Sequence, residues 1–393
     1  MLLFQLNLFY IQGLYIMRIF FKKNKKKRIL ICGRLDYGPI GRHTISFIEI
    51  LSKKYNVYVG CDCWKEFNDE ILKIKYKSLI NKFFDEKTEF DLFIFTDVMY
   101  HFDNNFIFDI VNKFNSKKKI AYPVFDGDIP PQLWIEILNN KFDIGIFPSH
   151  SLTNLFSKHL NIPCYSLPVI VHNSYLLKKI PKIKTKFRFG VIAAMSKRKN
   201  LLKVIKAFIE IFSNNTNVEL LIHSPDVNES EYKNSVMNLL KSQNSSNIIL
   251  SNKRITNEEL QKLITTFDCY IYPSMGEGYS TTPREALSYG VPVILSSIEA
   301  HKEITVNKDI EGILFVNSNI KIKYYCPSLN NTFIGYIYDC EITEIKDKMK
   351  YVYNNFEKFM TKESITRRKK IGMNFSKREV QKLSENIFNL LLK

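Results

Sequence analysis

The chain has 393 residues, 45% hydrophobic and 24% charged, with only 14 glycines and 13 prolines. That length holds about two ordinary domains, and the composition excludes disordered, collagen-like and linker-dominated chains. The formal net charge of +18 suits a polyanionic partner such as a nucleotide diphosphate or an anionic lipid. Lysines are spread along the whole chain, however, which compositional drift explains equally well. No RRM, zinc-finger or homeodomain signature is present, so nucleic acid is not an expected partner.

Residues 1–27 read as an extension, with an apolar run over 1–21 and then a basic cluster from Lys22 to Arg28. One reading is an interfacial helix or membrane anchor with a cytoplasmic basic flank. Gln5, Asn7, Gln12 and Arg18 interrupt the run, which falls short of about 20 clean apolar residues. The other reading is a segment upstream of a start at Met17. The basic cluster follows the apolar run, which argues against a cleaved signal peptide. A cytoplasmic enzyme is expected, free or peripherally bound to a membrane. The seven cysteines, several in apolar runs, suit buried thiols in a reducing compartment. Cys61-Asp-Cys63 has no second Cys/His pair at zinc spacing, so no metal site is expected.

From residue 28, short apolar runs alternate with amphipathic helices, the pattern of parallel α/β sheets, and it occurs twice. Over 28–171 the strands read at Arg28–Cys32, Val57–Val59, Leu92–Phe95, Ile120–Phe125 and Ile144–Phe147, with a further run at Cys164–Val171. Gly33, Gly38 and Gly41 mark the loop after the first strand. Residues 172–186 lose periodicity and gain lysines, which reads as a linker. Over 187–372 the strands read at Phe189–Ala194, Val218–Ile222, Ile248–Leu250, Asp268–Tyr272 and Val293–Leu295. Asn200 is placed to cap a helix whose Leu201, Ile205, Phe208 and Phe212 form a core stripe. Thr256 and Glu259 form a capping box. In the last segment, 373–393, Val380, Leu383, Ile387 and Leu390 share one helical stripe, suited to packing back on the first domain.

The chemistry concentrates in residues 273–292, PSMGEGYSTTPREALSYGVP. A strand ends at Tyr272, so the following loop lies at the carboxyl edge of a sheet, where α/β ligand sites form. Gly276 and Gly278 allow close backbone approach. Ser280, Thr281 and Thr282 are N-cap formers and Pro283 suits a first turn. Free amides at that helix start make an anion site for a diphosphate. Glu277 precedes the helix and Glu285 lies one to two turns inside it. Glu285 suits ribose hydroxyls and Glu277 a sugar ring. Read alone, Thr282-x-x-Glu285 is a capping box and Glu277 a solvated loop acid.

This block resembles the retaining GT-B glycosyltransferases, family four (glycosyl transferases group 1). Glu277 and Glu285 have the family's E-x7-E spacing, and Pro273, Ser274, Gly278, Tyr279, Ala286, Gly290 and Pro292 fall in register. The resemblance implies two Rossmann-like domains facing across a cleft, an acceptor domain first and a nucleotide-sugar domain second. It implies transfer of a sugar, with retention, from a nucleotide-diphosphate sugar to a hydroxyl of a glycan, lipid or protein, without cofactor or metal. By the same carry-over Lys199 and Arg198 neutralise the diphosphate, Gly278, Tyr279, Ser280 and Thr281 line the donor, and Gly41 sits in the Gly-rich loop that nears the phosphates. The family's Arg about five residues before the lysine is replaced here by Ala193 and Ala194. Phe125 stands in the place of its first-domain His, with Asp126 after it near the reacting centre.

Three rival readings stand beside this one. Asp126-Gly-Asp128 is a D-x-D string, the metal-diphosphate motif of GT-A transferases. The departures at Ala193, Ala194 and Phe125 suit an inactive sugar-nucleotide-binding subunit. A sugar-nucleotide epimerase shares the double-Rossmann outline.

Overall fold

The computed structural model describes residues 26–392 except 62–68, 83, 86, 98, 100–103, 173–185, 226–230, 244–245 and 306–309. The N-terminal apolar run and nearly all of the expected linker lie outside the described residues, as does Cys63.

The alternating pattern folds into two six-stranded sheets. The first carries β1 (Arg28–Cys32), β2 (Asn56–Gly60), β3 (Leu92–Phe95), β4 (Lys119–Ala121), β5 (Ile144–Phe147) and β6 (Cys164–Ser166), in the order β2-β1-β3-β4-β5-β6. The second carries β7 (Phe187–Ile192), β8 (Val218–His223), β9 (Ile248–Ser251), β10 (Cys269–Tyr272), β11 (Val293–Ser296) and β12 (Ile313–Val316), in the order β12-β11-β10-β7-β8-β9. Every pairing in both sheets is parallel. Strands such as Leu92–Phe95 and Cys269–Tyr272 are buried at every position, because helices cover both faces of a parallel sheet. The fold is therefore the expected α/β GT-B arrangement and not GT-A.

In each sheet the strand order reverses at one point, and ligand crevices open there. The second sheet reverses between β7 and β10, so the chain leaving Ile192 and the chain leaving Tyr272 emerge side by side. The first sheet reverses between β1 and β3. Its β1 loop leads into α1 (Gly41–Leu51), where a Cβ on Gly41 would strike the Asp36 backbone. Three second-lobe helices matter below: α2 (Leu201–Phe212), α3 (Asn257–Thr265) and α4 (Thr281–Ser288). The Thr256–Glu259 capping box forms at the start of α3.

Near the end, α5 (Lys362–Met373) packs on α4, and the chain then returns to the first lobe, where Val171 N–H donates to the Phe375 carbonyl at 2.8 Å. α6 (Lys377–Leu391) packs on α1, with the rings of Phe47 and Phe388 6.3 Å apart. The expected stripe is offset. Val380, Ser384, Phe388 and Leu391 face inward, while Leu383 and Leu390 are about half exposed, at 46% and 55%. Burying the Phe388 ring decides between two overlapping stripes, since an aromatic carries more apolar area than a leucine.

A further pair of strands lies outside both sheets. β13 (Ile320–Cys326) and β14 (Thr332–Asp339) form an antiparallel hairpin after β12. It reaches the first lobe, where Asp128 and Ile129 N–H both donate to the Ile334 carbonyl at 3.2 Å. The Asp128 carboxylate accepts from Tyr336 N–H at 2.7 Å and from the Tyr338 hydroxyl at 2.8 Å. Tyr338 N–H donates to the Met275 carbonyl at 2.7 Å, joining the same hairpin to the glycine loop after β10.

Candidate active site

Arg198 and Lys199 follow β7 in a single 3-10 turn, and Glu277 follows β10, so the switch point of the second sheet gathers all three. Glu277 Oε1 accepts from Lys199 Nζ at 2.5 Å, from the Ser274 hydroxyl at 2.5 Å and from the Tyr272 hydroxyl at 3.1 Å. Arg198 Nη1 lies 3.1 Å from the same oxygen and also donates to the Gly276 carbonyl. Burial works to raise the Glu277 carboxyl, but Lys199 and Arg198 outweigh it and hold it at about 2, so it is an anion at neutral pH.

The first lobe completes this cluster. Asp126 Oδ2 lies 2.8 Å from Arg198 Nη2, and Asp126 Oδ1 accepts from Gly278 N–H at 3.0 Å. The Ser149 hydroxyl donates to the Gly278 carbonyl at 2.9 Å. A Cβ on Gly278 would collide with Val124 and the Phe125 backbone, so glycine there lets the two lobes touch. The site thus holds two cations and two carboxylates, mutually paired across the lobe boundary. Phe125, in the expected histidine position, is a packing residue. Its ring lies 5.3 Å from Trp134 and 5.7 Å from Phe156, and it is fully buried.

The remaining expected residues divide. Asn200 does not cap through its side chain. It adopts φ 60° and donates from Nδ2 to Asp339 at 2.8 Å. Ser280 stands at the start of α4 with φ 65°, and its hydroxyl meets His301 Nε2 at 2.9 Å. His301 is buried, and Ser296 lies at its other nitrogen, with the hydroxyl at 2.9 Å and the carbonyl at 3.1 Å. That carbonyl requires a proton on Nδ1, so Nε2 accepts from Ser280. Burial lowers the imidazole to about 4 and keeps it neutral. Tyr279 turns away from the cluster. Its ring joins the first-lobe core and its hydroxyl donates to the Val169 carbonyl at 3.0 Å.

Glu285 is fully buried, and the capping box that Thr282-x-x-Glu285 would suggest if read alone does not form. Its Oε1 accepts from Arg42 Nη1 at 2.7 Å, while Thr282 pairs its hydroxyl with that of Tyr270 at 2.7 Å. Glu285 Oε2 is buried without a hydrogen-bond partner. Burial raises this carboxyl and Arg42 pulls it back only in part. Gly41 makes the turn, and its neighbour Arg42 makes the contact.

Sequence reasoning missed two arginines. Arg42 follows a glycine loop and reads as a first-turn helix residue. Arg284 reads as the polar side of α4, yet it is 1% exposed. Its Nη1 donates to the carbonyls of Tyr279 and Ser280, its Nη2 to that of Ala300, and its guanidinium carbon lies 3.9 Å from the Tyr279 ring centroid. The D-x-D carboxylates are both engaged by protein donors. Among the described residues no group of three His, Cys, Asp or Glu side chains is arranged to hold a metal ion. The six described cysteines are free thiols. No described helix is long and apolar enough to cross a membrane.

Comparison with known proteins gives the same outline. Residues 176–322 match the family described as Glycosyl transferases group 1. No curated protein matches the chain by sequence. Among solved structures, Anabaena Alr3699/HepE in complex with UDP and glucose aligns at TM-score 0.67 and 12% identity, over 92% of this chain and 99% of that one. A glycosyltransferase from Rickettsia africae ESF-5 aligns at TM-score 0.66 and 14% identity, over 94% and 99%. The pneumococcal O-GlcNAc transferase GtfA, in complex with UDP and GlcNAc, aligns at 0.54 and 13%, over 77% of this chain, which spans only 57% of that longer protein. The second lobe thus carries the glycosyl transferases group 1 match, within a chain of GT-B fold.

Proposed function

We propose that the chain is a glycosyltransferase that moves a sugar from a nucleotide-diphosphate sugar to an acceptor hydroxyl of a glycan, lipid or protein, with retention. The observation that carries this reading is the Glu277–Lys199–Arg198 cluster at the switch point of the sheet matched by the family. Lys199 and Arg198 hold the donor diphosphate together with the Ser280 and Thr281 amides, Glu285 takes the ribose hydroxyls, and Glu277 contacts the sugar ring. The complexes of the Anabaena and pneumococcal proteins with UDP and a sugar support a donor of this class.

The charges explain how departure of the leaving group is assisted. In the closed chain both cations are neutralised by Glu277 and Asp126. A diphosphate brings its own negative charge, so donor entry exchanges Asp126 for phosphate as the lobes part. Reclosure then returns Asp126 to the reacting centre and excludes water. The departing phosphate, gripped by two fixed cations, accepts the proton of the incoming hydroxyl. No cofactor and no metal enters this scheme, since Arg198 and Lys199 supply the positive charge. The enzyme works in the cytoplasm, free or at a membrane surface.

The test is a thermal-shift panel of UDP-, GDP- and ADP-sugars, followed by turnover with the stabilising donor. Lys199→Ala and Glu285→Ala should raise the donor KM or abolish turnover while keeping the circular dichroism spectrum. Wild-type kinetics in both variants would refute the site. One observation favours a second reading, a non-catalytic sugar-nucleotide-binding subunit, because Phe125 fills the histidine position with a packed ring. Donor binding without any hydrolysis or transfer would favour that reading.

A further inference from the structure

Arg42 and Glu285 are 243 residues apart in sequence and belong to opposite lobes, yet they form a buried ion pair. Arg42 is 4% exposed and Glu285 0%. All three guanidinium nitrogens are engaged. Nη1 donates to Glu285 Oε1 at 2.7 Å, Nη2 to Asn257 Oδ1 at 2.9 Å, and Nε to the Tyr37 carbonyl at 3.3 Å. The guanidinium is therefore fixed in plane, with two arms on the second lobe and one on the first.

A buried acceptor left without a hydrogen bond is costly. Here Oε2 is buried and has no partner. Arg42 also leaves the Glu285 carboxyl above its ordinary range, so without Arg42 the group would take up a proton more readily still and lose its strength as an acceptor.

We infer that Arg42 is a positioning residue for donor recognition: from the first lobe it grips Glu285 by one carboxylate oxygen and presents the other to the ribose hydroxyls. This rests on the reading of Glu285 given above and adds the first lobe to nucleoside recognition. Ribose is then read in full only with the lobes together, whereas the phosphates are held mainly by the second lobe.

The experiment is calorimetric. Whichever of UDP, GDP and ADP binds most tightly is compared with its 2′,3′-dideoxy form on the wild type, Glu285→Gln, Arg42→Met and Arg42→Lys. Hydrogen bonds to an ionised group predict a wild-type preference for the ribose form of roughly ten- to a hundredfold. Glu285→Gln should bring the preference close to unity. Arg42→Met should do the same. Arg42→Lys should fall between.

A folded Arg42→Met that keeps the wild-type preference at pH 7, or binds the nucleotide more tightly, overturns the inference. In the second case Arg42 is a competitor of ribose. If that variant does not fold, Arg42→Gln is judged by the same criterion. Full preference retained in Glu285→Gln instead overturns the ribose reading of Glu285. Failure of all three diphosphates to bind overturns the donor reading, and the inference falls with it.

Discussion

Arg284 offers the sharpest test of how the glycine loop is held. Its guanidinium is buried between the rings of Tyr279 and Phe375, 3.9 and 4.7 Å from their centroids, and it donates to three carbonyls. Two of those carbonyls flank Ser280, a non-glycine residue with φ 65° that leads into α4. Such a conformation persists only where its surroundings over-determine it. Arg284→Met keeps the bulk of the stem and removes the donors. Hydrogen bonds from a charged donor are worth about 1.5–3 kcal/mol each, so three would sum to roughly 4–9 kcal/mol if independent. They share one group and are not additive. Removing the guanidinium also relieves several kcal/mol of its desolvation cost, but leaves Glu303 without its cation at 3.5 Å. The net expectation is about 4 kcal/mol. For a domain of 150–250 residues that lowers the midpoint of thermal unfolding by roughly 8–16 °C. Scanning calorimetry is the right assay, because a two-domain chain need not unfold in one transition. A shift below about 3 °C would show instead that the loop holds its shape without Arg284.

Two further outcomes are expected. Tyr338→Phe removes a hydroxyl donated to the Asp128 carboxylate and Asp128→Asn weakens both of that residue's contacts, each at a cost of about 1.5–3 kcal/mol; both should speed protease nicking of the hairpin at 320–339, and unchanged nicking in both would show that its backbone bonds suffice. His301 is held at about 4 against an ordinary 6.5, so its contribution is complete above pH 6.5 and lost as the pH falls towards 4. Between pH 7 and 5 that amounts to about 2 kcal/mol, and His301→Gln should flatten this part of the urea-midpoint profile; superimposable profiles would contradict the assignment, since His43 and His172 are buried in both proteins.

What the sequence discloses here follows the range of each interaction. Runs such as Leu92–Phe95 announce buried parallel strands because both faces must be apolar, and the acids at 277 and 285 announce themselves by fixed spacing around a helix start. Asn200 misleads, since a cap-forming residue also tolerates left-handed backbone, and Asp339 captures its side chain. The stripe on α6 misleads for a different reason. Val380 belongs to two overlapping stripes, and only the position of Phe47 on α1 settles which one is buried. The hairpin over 320–339 carries an alternating Ile-Lys-Ile-Lys pattern, but nothing local says that it will meet Asp128. Arg42 is the extreme case. Its partner lies 243 residues away, and no pattern in either segment carries that information.

Several contacts between the lobes have a common location. Arg42 meets Glu285, Asp126 meets Arg198 and Gly278, Ser149 meets Gly278, Tyr279 meets Val169, and Ser151 N–H donates to Glu303 at 3.1 Å. Each joins the first lobe to the stretch from 277 to 303 or to the cations beside it. Much of the contact between the lobes therefore uses the atoms that build the site. If the proposed donor displaces Asp126 from Arg198, it would remove one closing contact and put its own phosphate there, while Arg42 keeps its hold on Glu285. On the proposed function, the lobes would part first at the Asp126–Arg198 contact and close again over the donor with Arg42 still on Glu285.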